Sequence, residues 1–146
     1  MRLVVDTSVL IGELLRARGR ERLGDDRLEL FIPEEMWAEF QVELPRRVTA
    51  FARRRHIPQQ VADELIRDAL ESVDANVAAV DEPVYRAFED EAGWRSTRDA
   101  NDWPLVACAL ALDAGVWTND KDLFGTGVAT WVTETVEAWL DHNPDG

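Results

Sequence analysis

The feature that most limits what this chain can fold into is a regular alternation of short β-branched, apolar runs with longer segments of helical periodicity. Arg2 to Val5, Leu28 to Ile32, Asn76 to Val80, Val116 to Thr118 and Val128 to Val132 read as strands. Helices are predicted from Thr7 through Leu15, after Pro33-Glu34-Glu35, after Pro83 to about Ala92, from Asp102 to Leu112 and from Thr133 to Leu140. Pro45 to Val73 reads as a helical hairpin broken near Pro58, Arg18 to Arg27 as a charged linker, and Gly93 as a stop signal. Strands alternating with helices predict parallel strands joined by crossovers, because a parallel neighbour is reached only by a long connection. The expected fold class is therefore α/β: a three-layer α/β/α sandwich around a parallel sheet of about five strands in the order 3-2-1-4-5.

A length of 146 residues suits one compact domain. The expected domain is 1–141, with the hairpin inserted at about 45–73 and a polar tail at 142–146. The longest apolar run, Leu105 to Leu112, is far short of the roughly 18 residues that cross a bilayer. Arg2 leads directly into Leu3 to Val5 with no signal-peptide pattern, so a cytoplasmic location without membrane association is expected. The lone cysteine, Cys108, lies in an apolar run and reads as a buried thiol.

A net charge of −13 opposes binding to phosphate backbones, but the charge is unevenly spread. Up to His56 the chain carries 11 arginines against 10 acids; beyond it, five basic residues face 19 acids. The dense basic cluster is Arg46, Arg47, Arg53, Arg54 and Arg55, whose planar guanidinium groups suit phosphate contacts. Arg16, Arg18, Arg20 and Arg22 offer an alternative basic rim.

Ligands of an open parallel sheet bind beyond the carboxyl ends of its strands, where strand order reverses. Asp6 follows the first strand and Asp120 the fourth, and these strands are neighbours in the expected order. Asp99 and Asp102 stand at the start of the apolar helix, and Glu39 lies a turn or so into the helix after the second strand. Singly, each acid also reads as a cap, a turn residue or a solvated side chain. Jointly, separate segments bring acids to one edge of one sheet. Gathered carboxylates repel one another unless a cation neutralises them, and Mg²⁺ or Mn²⁺ prefers oxygen ligands. The expected chemistry is phosphodiester hydrolysis by a metal-activated water.

Val5-Asp6-Thr7-Ser8-Val9-Leu10-Ile11, the Glu39 helix, Asp99-Ala100-Asn101-Asp102-Trp103-Pro104-Leu105-Val106-Ala107 and Trp117-Thr118-Asn119-Asp120-Lys121-Asp122-Leu123-Phe124 resemble the signature blocks of PIN domains. The resemblance covers the chain from residue 3 to about 133. It implies a Mg²⁺- or Mn²⁺-dependent ribonuclease, often the toxin half of a VapC-type toxin–antitoxin pair, and hence an RNA substrate, an antitoxin partner and a homodimer. Carried over, Asp6, Glu39, Asp102 and Asp120 match the acidic quartet; Ser8 and Thr118 match hydroxyls that support the first and last Asp. Asp99 and Asp122 are extra acids beside matched positions, and the arginines between Pro45 and Val73 would meet the RNA. Two other readings compete: a receiver-like Mg²⁺-binding signalling module, and a PIN-fold RNA-binding or scaffold protein with little catalysis.

Overall fold

A computed structural model describes residues 1–96 and 98–144. Its five parallel strands are β1 (Arg2–Val5), β2 (Glu29–Pro33), β3 (Val77–Val80), β4 (Gly115–Trp117) and β5 (Thr130–Trp131), arranged β3-β2-β1-β4-β5. Leu3 pairs with Leu30 on one side and with Gly115 on the other, so the central strand is β1. The expected strand order is observed, and each connection crosses over through α-helix except β4 to β5, which carries only a 3₁₀ turn at Lys121–Leu123.

Strand alternation divides the core. Leu3, Val5, Leu30, Ile32 and Trp117 point to one face, where they pack against α1 (Thr7–Leu14), α3 (Glu34–Arg54) and α4 (Gln59–Asn76), with Leu23 of α2 (Ala17–Leu23) and Val136 of α8 (Thr133–His142). Val4 and Val116 point to the other, against Tyr85 of α5 (Glu82–Tyr85), Ala92 of α6 (Glu89–Arg95) and α7 (Trp103–Leu112). A period of two along each strand thus produces three layers. Helix α7 buries Pro104 through Ala109, as its uniformly apolar sequence requires. Burial pushes the Cys108 thiol up to about 12, so it is inert.

The local differences have physical causes. Residues expected as a charged linker form α2, whose inward face consists of Gly19, Arg22 and Leu23. Arg22 pairs with buried Glu13 of α1 and with Glu137 of α8, and Arg20 donates to the Leu14 carbonyl at 2.9 Å. These two arginines are spent on packing α2, not on a basic rim. Gly19 is obligatory because a Cβ there would lie 2.2 Å from the Glu13 carbonyl oxygen. Pro45 does not interrupt α3. The stripe Phe40, Leu44, Val48 and Ala52 continues into the core across it, and that burial outweighs the roughly 3 kcal/mol an interior proline costs. The segment after Pro83 is interrupted and runs further than expected: α5 passes through a 3₁₀ turn at Arg86–Phe88 into α6, which continues to Arg95, so Gly93 lies inside α6 instead of ending it. At the C-terminus α8 extends to His142; residues 145 and 146 of the expected tail lie outside the described residues.

Candidate metal centre

The end of β1 is where the acids meet. The Asp6 amide donates to the Trp117 carbonyl at 3.0 Å, extending the β1–β4 ladder by one residue and fixing Asp6 beside Thr118. Asp6 then caps α1, its Oδ1 accepting from the Ser8 amide at 3.2 Å. Its Oδ2 accepts from the Thr118 hydroxyl at 2.7 Å, and the same hydroxyl oxygen accepts the Asp120 amide at 3.0 Å. Thr118 is completely buried, so this tether between the two aspartates is shielded from water.

Asp99 and Asp120 repeat the capping geometry of Asp6. Asp99 Oδ1 accepts from the Asn101 amide, and Asp120 Oδ1 from the Asp122 amide, both at 2.9 Å. These are Asx turns, in which a carboxylate binds the backbone two residues on. In each, one oxygen is held while Oδ2 has no protein hydrogen bond among the described residues. Cap and ligand are therefore compatible roles: the cap fixes the carboxylate's orientation, and the second oxygen stays available.

Asp102 begins α7 without capping it, and among the described residues its side chain has no hydrogen bond. Its carboxyl is pushed up to about 6, first by burial and then by the charges of Asp99, Asp120, Asp6 and Asp122, in that order. Acids from three separate segments thus act on one half-buried carboxylate. Glu39 stands apart from this group. It is exposed, and its contact is with Thr7, whose hydroxyl lies 3.5 Å from both Glu39 Oε2 and the Met36 carbonyl.

Ser8 differs from the role its position implied. Its amide holds Asp6, whereas its hydroxyl accepts from Arg47 Nη2 at 3.2 Å. Of the arginine cluster, Arg47 alone reaches this neighbourhood. Arg46 pairs with Glu43 at 3.2 Å, Arg54 turns back to the Ala50 carbonyl at 3.3 Å, and Arg55 lies 5.4 Å from the Phe51 ring centroid. Arg53 is exposed near the end of α3. Sequence reasoning missed Arg98, which stands 3.5 Å from Asp122, and Thr7; neither belongs to an acidic or basic run that would single it out.

The result is an open crest, with Asp6 and Asp102 half-buried and Asp99, Asp120, Asp122 and Glu39 exposed. Among the described residues no three His, Cys, Asp or Glu side chains, as they stand, are grouped so as to hold a metal ion. The donor set nevertheless fits a hard divalent cation. All its donors are carboxylate oxygens, and the crowding that raises Asp102's proton affinity is relieved by positive charge. Mg²⁺ in particular keeps several waters and is commonly held by one or two carboxylates.

Residues 4–141 match the PIN domain family, and the chain belongs to it. Proteins of this class are generally nucleases and typically use divalent metal ions. Among solved structures the chain is similar to PAE2754 from Pyrobaculum aerophilum, with a TM-score of 0.66 and 15% identity, covering 97% of this chain and 96% of that one. It is also similar to FitAcB from Neisseria gonorrhoeae, with a TM-score of 0.55 and 22% identity over 88% of this chain and 96% of that one. At these identities the likeness is one of fold. No curated protein sequence matches. Family membership removes the receiver-like reading. Among the described residues no helix is long and apolar enough to cross a membrane.

Proposed function

We propose that this PIN domain is a Mg²⁺- or Mn²⁺-dependent endoribonuclease. The observation that carries the reading is the tether at the strand ends: Thr118 joins Asp6 to Asp120, while Asp102, whose carboxylate has no hydrogen bond among the described residues, is crowded by both and by Asp99 and Asp122. Asp6, Asp102 and Asp120, with Asp99, Asp122 and Glu39 beside them, would hold a divalent ion, which would supply positive charge to admit a phosphate and acidify a water. The chain's own contribution is orientation. Asx turns and the Thr118 hydroxyl keep the carboxylates from rotating away as they repel one another.

An open crest suits a polymer better than an enclosed small molecule. Arg46, Arg47, Arg53, Arg54 and Arg55 on and just after α3 offer the phosphates of an RNA strand a cationic approach that the rest of this acidic chain lacks. The finer form of the reading is the toxin of a VapC-type toxin–antitoxin pair, acting in the cytoplasm. Its antitoxin or a second copy would cover apolar surface such as exposed Val42, Val61 and Leu70 on α3 and α4.

The test is incubation with RNA and Mg²⁺ or Mn²⁺. Cleavage is expected that EDTA abolishes and that Asp6→Asn removes. An Asp6→Asn protein with full activity overturns the metal-site assignment, and metal binding without turnover on any RNA tested points to an RNA-binding role in place of catalysis.

A further inference from the structure

Arg47 differs from the other arginines in what it touches. Arg2, Arg22, Arg27, Arg46, Arg86, Arg95 and Arg98 each have a carboxylate within ion-pair distance; among the described residues Arg47, like Arg16, Arg18, Arg20, Arg53, Arg54, Arg55 and Arg67, has none, so what sets it apart is its place beside the acids. Its hydrogen bond goes to a neutral hydroxyl, that of Ser8. A guanidinium presents five N–H donors in a planar fork, so this contact leaves most of the fork unused. It also places the fork beside Asp6, whose Oδ1 accepts from the Ser8 amide at 3.2 Å.

The helix pairing explains why Arg47 comes to this place. Consecutive residues of the first turn of α1 meet α3 at two levels: Thr7 faces Glu39, and Ser8 faces Arg47. Glu39 and Arg47 are eight residues apart on one helix, about 12 Å along its axis. Buried Phe40, Leu44 and Val48 anchor the helix between and beside them. The carboxylate crest is thus flanked on its α3 side by an exposed cation with open donors.

Resting on the nuclease reading above, we infer that Arg47 is a catalytic residue that grips the non-bridging oxygens of the phosphodiester being cut, while the remaining arginines of the cluster contact flanking phosphates. A fork that makes paired hydrogen bonds to phosphate oxygens, and strengthens them as charge builds there, acts chiefly on turnover. Arginines farther along α3 act chiefly on binding. Ser8 is a positioning residue in this scheme, holding Arg47 through its hydroxyl.

The experiment compares the full chain with Arg47→Met, Arg47→Lys, Arg54→Met and Ser8→Ala, with Arg67→Met as a charge-matched control on exposed α4. Thermal melts verify folding. Two readouts are taken: kcat and KM for Mn²⁺-dependent cleavage of a fluorescent single-stranded RNA, and equilibrium binding of a short fluorescein-labelled single-stranded RNA in Ca²⁺. Arg47→Met is expected to lower kcat about 100-fold, with partial recovery in Arg47→Lys, a smaller loss in Ser8→Ala and wild-type behaviour in Arg67→Met. Arg54→Met is expected mainly to raise KM. The labelled RNA should also bind several-fold more weakly to Arg47→Met than to Arg67→Met. Cleavage by wild type with no selective kcat loss in Arg47→Met overturns the inference and leaves the nuclease reading intact. Arg47-dependent binding without cleavage supports the phosphate contact and overturns the nuclease reading, and the absence of both binding and cleavage overturns both.

Discussion

Replacing Thr118 by valine tests the tether at its strongest point. Valine preserves the shape of this wholly buried side chain but removes a hydroxyl that makes two bonds, to Asp6 Oδ2 at 2.7 Å and from the Asp120 amide at 3.0 Å. A hydrogen bond to a charged group contributes about 1.5–3 kcal/mol and a neutral one about 1 kcal/mol. Asp6 is half-buried and Asp120 exposed, so water replaces part of both, and the expected net loss is about 2 kcal/mol. In a chain of this size that lowers Tm by about 4–8 °C. The effect on cleavage should be larger in kind, because Asp6 and Asp120 lose their common orienter; about 10- to 100-fold in metal affinity or activity is expected. Thr118→Ser separates the two consequences. It keeps the hydroxyl and deletes a methyl group, so it should cost about 1 kcal/mol of stability through the cavity while preserving most activity. Calorimetric melts and Mn²⁺-dependent RNA cleavage on the three proteins decide the matter. A fully active Thr118→Val, or serine and valine variants equally impaired, would refute the reasoning.

Further expectations follow from the packing and charge of named residues. Asp102's carboxyl, raised to about 6, favours the protonated fold, so its contribution to metal-free stability is full below about pH 4 and is lost as pH rises through about 6. Asp102→Asn should therefore flatten the pH dependence of metal-free urea midpoints between those values, and in the wild type the affinity for Mn²⁺ should weaken as pH falls below about 6; a variant with an unchanged profile contradicts the assignment. Gly19→Ala forces a Cβ against the Glu13 backbone and should destabilise by about 3 kcal/mol by chemical denaturation, whereas Gly12→Ala, which meets nothing within 4 Å, should be neutral or slightly stabilising. Arg22→Ala leaves Glu13 buried and uncompensated, at a cost of about 3–5 kcal/mol; Arg22→Met together with Glu13→Leu should recover much of it, and a double variant no better than the single one would show that the pair itself holds α2 in place.

The sheet was legible because each strand is a short apolar run and every crossover but the last carries a helical period. Strand order then placed Asp6 and Asp120 side by side. The elements that escaped were those whose apolar pattern is weak or contradicted by a breaker. The inward face of α2 has Leu23 as its one apolar side chain beside Gly19 and Arg22, so no hydrophobic period announces it, and the burial of Arg22 depends on a partner, Glu13, on another helix. The stripe Phe40-Leu44-Val48-Ala52 runs through Pro45 and was the better guide than the proline. At the site, spacing marked the acids but not their bonds. That one hydroxyl, Thr118, serves two aspartates, or that Ser8 turns its hydroxyl to Arg47, depends on side-chain direction across separate segments. Arg98 and Thr7 are single polar residues whose meaning comes only from what the fold sets beside them.

The central claim is that the crest formed by Asp6, Asp102 and Asp120 holds a divalent cation. Its most direct measurement is a titration of metal-free protein with Mn²⁺, followed by calorimetry and electron paramagnetic resonance, for the wild type and for Asp6→Asn, Asp102→Asn and Asp120→Asn. The account predicts saturable binding in the wild type, at least tenfold weaker in each amide variant, with Glu39→Gln affected less because Glu39 stands outside the group that crowds Asp102. Equal Mn²⁺ binding by the wild type and the three Asp→Asn proteins would contradict it.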